Sequence, residues 1–187
     1  MDMIFGIGLA KTGTTTIAEA LKLLGYNSFH CECNIINPKD MELYTTQLDK
    51  YNAIVGTPLA PFYKSLDQNY DNAKFILTIR DEEKWVDSCS YHFTDDLIMD
   101  TQHKYLHKLI YECEKFNRKK FLKGYKKYNK KVKKYFYYKS DNFLILDINS
   151  KTKWGELCNF LDQPIPDVIF PYKNKKGERD KLKRKAK

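Results

Sequence analysis

Met3-Ile4-Phe5-Gly6-Ile7-Gly8-Leu9-Ala10-Lys11-Thr12-Gly13-Thr14-Thr15-Thr16 is a short apolar run that turns into a glycine- and threonine-rich loop. Beyond it, Ile17, Ala18, Ala20, Leu21, Leu23 and Leu24 recur at helical spacing before Gly25. Residues 3–8 therefore predict a buried strand, and the segment after the loop predicts a helix that stops at the glycine. A tight turn between the two aims several backbone N–H groups at one point, where the helix N-terminus adds partial positive charge. Gly13 lets backbone approach a ligand closely. Lys11 adds a full positive charge, and Thr14 and Thr15 add hydroxyl donors. A strand, glycine loop and helix in this order open many phosphate-binding α/β domains.

The rest of the chain repeats the alternation. Residues 26–30, 53–55, 74–80 and 142–148 predict further strands. Residues 38–51 predict a helix with Met41, Tyr44, Leu48 and Tyr51 on one face. Other helices are predicted near 62–66, after Asp81 as N-cap, across 95–139 with breaks at 115–117 and Gly124, and over 152–161. Alternating strands and helices predict a three-layer α/β fold, a parallel sheet of about five strands flanked by helices and P-loop NTPase-like.

At 187 residues, the length suits one domain, read as 1–174, followed by a basic tail over 175–187. With 42% hydrophobic and 14% aromatic residues, the composition argues for a packed core. No 18-residue apolar run occurs, so no membrane helix is expected. The first residues lack the basic start of a signal peptide. Five scattered cysteines give neither a disulfide framework nor a zinc spacing, which reads as reduced thiols in a cytoplasmic protein. No metal-ligand cluster stands out. The formal charge of +9 is uneven: residues 115–139 carry 12 Lys/Arg and no acid, and the tail is also strongly basic. Leu122, Tyr125, Val132 and Phe136 give the first of these segments an apolar stripe, so it reads as a solvated helix docked on the sheet. Its lysines would also suit an anionic acceptor such as a glycan. Its tyrosines (Tyr125, Tyr128, Tyr135, Tyr137, Tyr138) have the chemistry to stack bases, but no nucleic-acid-binding motif accompanies them and such a partner is not expected.

The order of residues in the first loop separates two chemistries. A nucleotide kinase loop places Lys directly after its last glycine. Here Lys11 precedes Gly13, and Thr14 stands where that Lys would be. Lys11-Thr12-Gly13-Thr14-Thr15 instead resembles the Lys-Ser/Thr-Gly-Thr-Thr loop of P-loop sulfotransferases, which use 3′-phosphoadenosine-5′-phosphosulfate (PAPS) as donor. The resemblance implies that Lys11 contacts the oxygen between phosphate and sulfate. It also implies that Thr12, Gly13, Thr14, Thr15 and Thr16 surround the 5′-phosphate. A second family mark, an Arg at a strand tip and a Ser eight residues later, is similar to Arg80 and Ser88; the pair implies a site for the donor's 3′-phosphate. Glu82 replaces the family's usual Pro. Lys175-Lys176-Gly177 resembles part of a further 3′-phosphate clamp, and Thr16 replaces the family's adenine-stacking Trp. The likeness runs from residue 3 to 174, its C-terminal part resembling a small sulfotransferase-like branch.

The implied reaction is sulfuryl transfer from PAPS to a hydroxyl or amine acceptor of unknown identity, leaving 3′-phosphoadenosine-5′-phosphate (PAP) and needing no metal. A base is less clearly marked. Thr57 stands where cytosolic members carry His, so Glu32 is the first candidate and His30 the second. His92, His103 and His107 read as surface or structural. The alternatives are a PAP- or PAPS-binding protein without transfer activity and a P-loop nucleotide kinase.

Overall fold

The structure is a computed structural model that describes residues 3–31, 35–37, 39–94 and 99–172. Five short strands, β1 (Ile4–Gly6), β2 (Ser28–His30), β3 (Ala53–Val55), β4 (Lys74–Ile79) and β5 (Phe143–Asp147), form one sheet in the order β2-β3-β1-β4-β5. Every pairing is parallel, and β1 lies between β3 and β4 with Phe5 opposite Ile54 on one side and Phe75 on the other. Parallel neighbours need long crossovers, and the helices supply them.

Side chains alternate across the pleat, so each strand feeds two cores. Ile4, Ala53, Val55, Ile76 and Leu146 face α1 (Thr14–Leu23) and α7 (Lys153–Leu161). Phe5, Ile54, Phe75 and Leu77 point into the second, aromatic-rich core. That core is covered by α3 (Tyr63–Asn69), α4 (Glu82–His92), α5 (Thr101–Tyr111) and α6 (Arg118–Tyr135). The three-layer α/β arrangement expected from the alternation is the one present.

Several boundaries differ from expectation. The helix expected over 38–51 reduces to α2 (Thr45–Leu48), preceded by an antiparallel bridge between Ile36 and Leu43. Asn37 and Asp40 account for this, because their side chains bond backbone amides two residues on and turn the chain there. Thr57–Phe62 forms a 3₁₀ segment containing Pro58 and Pro61 before α3 begins. The stripe on α6 runs through Phe121, Tyr125, Tyr128 and Val132, with Leu122 only half-buried.

Gly124 does not break α6. It lies inside the helix, and a Cβ there would meet the Ile110 carbonyl oxygen and the Tyr111 ring of α5. The glycine lets two helices approach. In a solvated helix Gly→Ala gains about 1 kcal/mol. Here Gly124→Ala is expected to lose a net 1–3 kcal/mol, roughly the penalty of overpacking, seen as a lowered midpoint in urea unfolding.

Candidate active site

The chain leaves the sheet at Gly6 and curls back toward α1. Lys11 adopts the left-handed region at φ 68° and Gly13 at φ 97°. A side chain is disfavoured there by about 1–2 kcal/mol, and a Cβ at position 13 would also collide with Ile148. Alternating backbone handedness makes a concave nest of N–H groups. α1 begins at Thr14 with no side-chain cap hydrogen bond, so its first-turn amides are not consumed by a capping residue.

Aromatic side chains from the outer layer hold this loop. Trp85 is fully buried in α4 and donates Nε1–H to the Ala10 carbonyl at 2.8 Å. Tyr128 donates to the Ile7 carbonyl at 2.6 Å. The Tyr125 hydroxyl accepts from the Arg80 amide at 2.9 Å and donates to the Arg80 carbonyl at 2.8 Å. Tyr125 also stacks on Trp85 with ring centroids 4.2 Å apart. Thr12 belongs to the same bracing. Its hydroxyl bonds the Leu9 carbonyl at 2.7 Å and Thr78 at 2.6 Å, and it is 0% exposed. The expectation that Thr12 lines the ligand site is therefore corrected: its side chain points inward and ties the loop to β4.

Above the sheet's C-terminal edge lies a cavity of about 670 Å³. The loop contributes Lys11, Gly13, Thr14, Thr15 and Thr16, and the tip of β4 and α4 contribute Arg80 and Ser88. The two motifs meet, since Arg80 Nη1 lies 3.4 Å from the Lys11 carbonyl oxygen that accepts from it. Arg80 Nε is buried with no hydrogen-bond partner among the described residues. No carboxylate is among the cavity's lining residues in the described part of the chain, so its formal charges are the two cations. His30, at the end of β2, approaches the loop; its Nε2 lies 3.1 Å from Thr14 Oγ1 and 3.3 Å from Thr15 Oγ1. Thr57 and Pro58 follow β3 into the wall. Trp154 of α7 donates to the Val168 carbonyl and packs on Phe170, which leads Tyr172 to the cavity.

Glu32, Lys175 and Lys176 lie outside the described residues. His92, His103 and His107, read from the sequence as surface or structural, all line the cavity. Lone histidines on a helical stretch carry no signal of what they face; only the packing of α4 and α5 against the sheet brings them here.

The basic segment also finds its place. Lys126 pairs with Glu82, Arg118 with Glu83 and Asp87, and Lys123 and Lys127 with Glu112. None of the cavity's lining residues comes from α6. Tyr125 and Tyr128 are committed to the bracing bonds, and Tyr135 donates to Asp67. Three of the five tyrosines thus serve the interior and do not form a stacking surface.

Two outcomes follow for the protein itself. Trp85→Phe keeps an aromatic ring, though a smaller one, and leaves the Ala10 carbonyl without its donor. The expected loss is about 1–3 kcal/mol, with faster hydrogen exchange at the loop amides. Burial holds His107 below its ordinary pKa of 6.5, so the unfolded chain binds that proton more readily than the folded one. Its contribution to stability is complete above pH 6.5 and is lost as pH falls toward the folded value. His107→Gln is expected to flatten that acid slope in denaturation midpoints.

The chain is similar to the Ava biosynthesis cluster protein M of Aspergillus versicolor, 24% identical over 208 residues that cover 89% of this chain and 78% of that protein. Among solved structures, mouse sulfotransferase SULT7A1 complexed with PAP aligns with a TM-score of 0.44 and 13% identity. That alignment covers 100% of this chain, which spans 65% of the mouse chain's length. A family model described as the sulfotransferase domain matches residues 3–179, and by that match the chain belongs to the sulfotransferase family.

Proposed function

We propose that this chain transfers a sulfuryl group from PAPS to a hydroxyl or amine acceptor, releasing PAP. The observation that carries the reading is the meeting of two separated motifs in one cavity, with Arg80 bonded to the Lys11 carbonyl. A donor with phosphates at both ends of its adenosine needs cations at two points, and Lys11 and Arg80 are the formal charges among the described lining residues. Arg80 Nε, buried without a partner among the described residues, fits a group that brings its own acceptor oxygens.

In this reading Lys11 lies beside the oxygen joining phosphate and sulfate. A cation held there stabilises charge that builds on the leaving phosphate, which speeds transfer more than it strengthens binding. Gly13, Thr14, Thr15 and Thr16 hold the 5′-phosphate with first-turn amides and hydroxyls. Arg80 and Ser88 hold the 3′-phosphate, guanidinium offering a two-pronged donor and the serine one hydroxyl. His30 touches the Thr14 and Thr15 hydroxyls, which suits a role in orienting them. Lys175 and Lys176 follow Tyr172, a residue of the cavity wall, by three and four positions and would add charge to the 3′-phosphate. Residues 1–174 form one domain in this proposal, and 175–187 are its basic tail. Among the described residues no helix is long and apolar enough to cross a membrane.

Titration calorimetry with PAP tests the reading. Wild type is expected to bind PAP and to prefer it over Mg-ATP. Arg80→Ala is expected to weaken binding by about tenfold to a hundredfold, the worth of a charge-assisted hydrogen bond. Lys11→Ala is expected to depress turnover of labelled donor by a larger factor than it weakens PAP binding. Binding without any donor turnover against an acceptor panel would favour the non-catalytic alternative, and a preference for Mg-ATP would favour the kinase.

A further inference from the structure

Part of the cavity is not needed for a nucleotide's phosphates. Its walls come from the end of α4 and from α5, and they carry Phe93, Leu106, Ile110 and Tyr111. No Lys or Arg of α6 reaches it among the described residues, because those side chains pair with Glu82, Glu83, Asp87 and Glu112 on the outer surface or face water. An anionic polymer would need cations along its path. An apolar wall in a cavity of about 670 Å³ suits instead a small ligand with an uncharged body.

The three histidines in the same cavity are not equivalent. His107 Nδ1 lies 2.8 Å from the Glu114 carbonyl oxygen, which can only accept, so Nδ1 carries the hydrogen. Its ring packs edge-on against Phe93, Tyr111 and Phe121. A proton gained there would sit among aromatic rings with no anion to balance it. His92 lies against Phe93 with ring centroids 4.6 Å apart. His103 has a different partner. Its Nδ1 lies 2.8 Å from Asp100 Oδ1, a carboxylate oxygen that accepts, and the same oxygen caps α5 by accepting the His103 amide at 2.8 Å. The carboxylate fixes the ring, presents Nε2 as the lone pair and offsets the charge of an imidazolium. At 42% side-chain exposure the ring can be reached from the cavity.

We propose that α5 supplies the acceptor half of the site, where a small uncharged alcohol rests its apolar body on Phe93, Leu106 and Ile110 and His103 is the catalytic base. The proposal rests on the sulfotransferase reading of the phosphate loop. As the hydroxyl oxygen bonds to sulfur, the bond from sulfur to the bridging oxygen of PAPS breaks, and its electron pair stays with the 5′-phosphate of PAP. The hydroxyl proton passes to His103 Nε2 and then to water. Asp100 acts through His103 and is a positioning residue. This supplies the base that Thr57 cannot provide in the position where cytosolic relatives carry His.

The test uses the full chain, labelled PAPS and three acceptors: benzyl alcohol, 4-nitrophenol and de-O-sulfated heparin. Benzyl alcohol needs a base, whereas 4-nitrophenol ionises unaided at mildly alkaline pH. Wild type is expected to sulfate both small acceptors and not the heparin. His103→Ala should slow transfer to benzyl alcohol by about 10²–10⁴-fold, the usual share of a general base. It should slow transfer to 4-nitrophenol by no more than about threefold and leave PAP binding unchanged. Asp100→Asn keeps the helix cap and should show the same acceptor selectivity with a smaller loss. Equal losses on both small acceptors, a selective loss in His107→Gln in place of His103→Ala, or a preference for heparin would each overturn the proposal. So would a wild type that binds PAP but sulfates neither small acceptor. A wild type that does not bind PAP at all would instead bring down the donor reading on which the proposal stands.

Discussion

Three carbonyl groups and one amide, at Ile7, Ala10 and Arg80, depend on Tyr128, Trp85 and Tyr125 for their hydrogen bonds. These are places where the chain has left the sheet to shape the cavity, so the ladder no longer pairs those groups. A buried backbone group without a partner costs about 1–3 kcal/mol, and the aromatic layer prevents that loss. The same contacts set the spacing between the glycine loop after β1 and the tip of β4. Because Tyr125 and Tyr128 share one face of α6 and Trp85 stacks on Tyr125, loop and strand tip are fixed relative to one rigid body. The backbone that carries Lys11 and Arg80 is thereby placed before any ligand arrives, which lowers the reorganisation that electrostatic help would require.

α6 illustrates how a conspicuous charge run can serve the fold. Its lysines look like a binding surface, yet several of them meet the acidic first turn of α4 and Glu112 at the end of α5. Exposed pairs of this kind contribute little each. What docks the helix is its buried stripe of Phe121, Tyr125, Tyr128 and Val132, together with the close approach that Gly124 allows. The charged face then complements its neighbours and keeps the outer surface solvated, while the cavity keeps its own cations at Lys11 and Arg80.

The cavity also divides by chemistry. Among the described residues its loop side offers amides, hydroxyls and the cations Lys11 and Arg80 and no carboxylate, which favours a phosphorylated ligand. Its α5 side is apolar with a histidine held by a carboxylate, which favours an uncharged body with a transferable proton. Tyr172 closes part of the rim because Trp154 anchors the returning C-terminal segment through Val168 and Phe170. A transfer reaction needs both kinds of surface in one enclosure, so that the reacting groups meet away from bulk water.

Much of this was legible in the residues. Local order along the chain encodes the strand, loop and helix around Lys11 and Gly13. The two-residue alternation of Phe5, Ile54, Phe75 and Leu77 against Ile4, Ala53, Val55 and Ile76 encodes a sheet with two covered faces. The eight-residue step from Arg80 to Ser88 marks a strand tip and the helix after it. Capping by Asp81 was legible for the same reason: hydrogen bonds between near neighbours are written in local sequence. Three other features were not. Thr12 sits within the glycine loop but turns inward to Thr78, Gly124 lies within a helix because α5 crosses it, and His103 and His107 line a wall that no local pattern describes. Each depends on a contact between segments far apart in the chain, and hydrophobic periodicity tells which face is buried without telling what it is buried against. The sequence by itself determined the glycine turn between β1 and α1 and the layered α/β plan, because both rest on short-range backbone geometry and alternation. Only the tertiary structure decided which side chains brace the loop and which face the cavity, because that choice is made when the helices pack across the sheet.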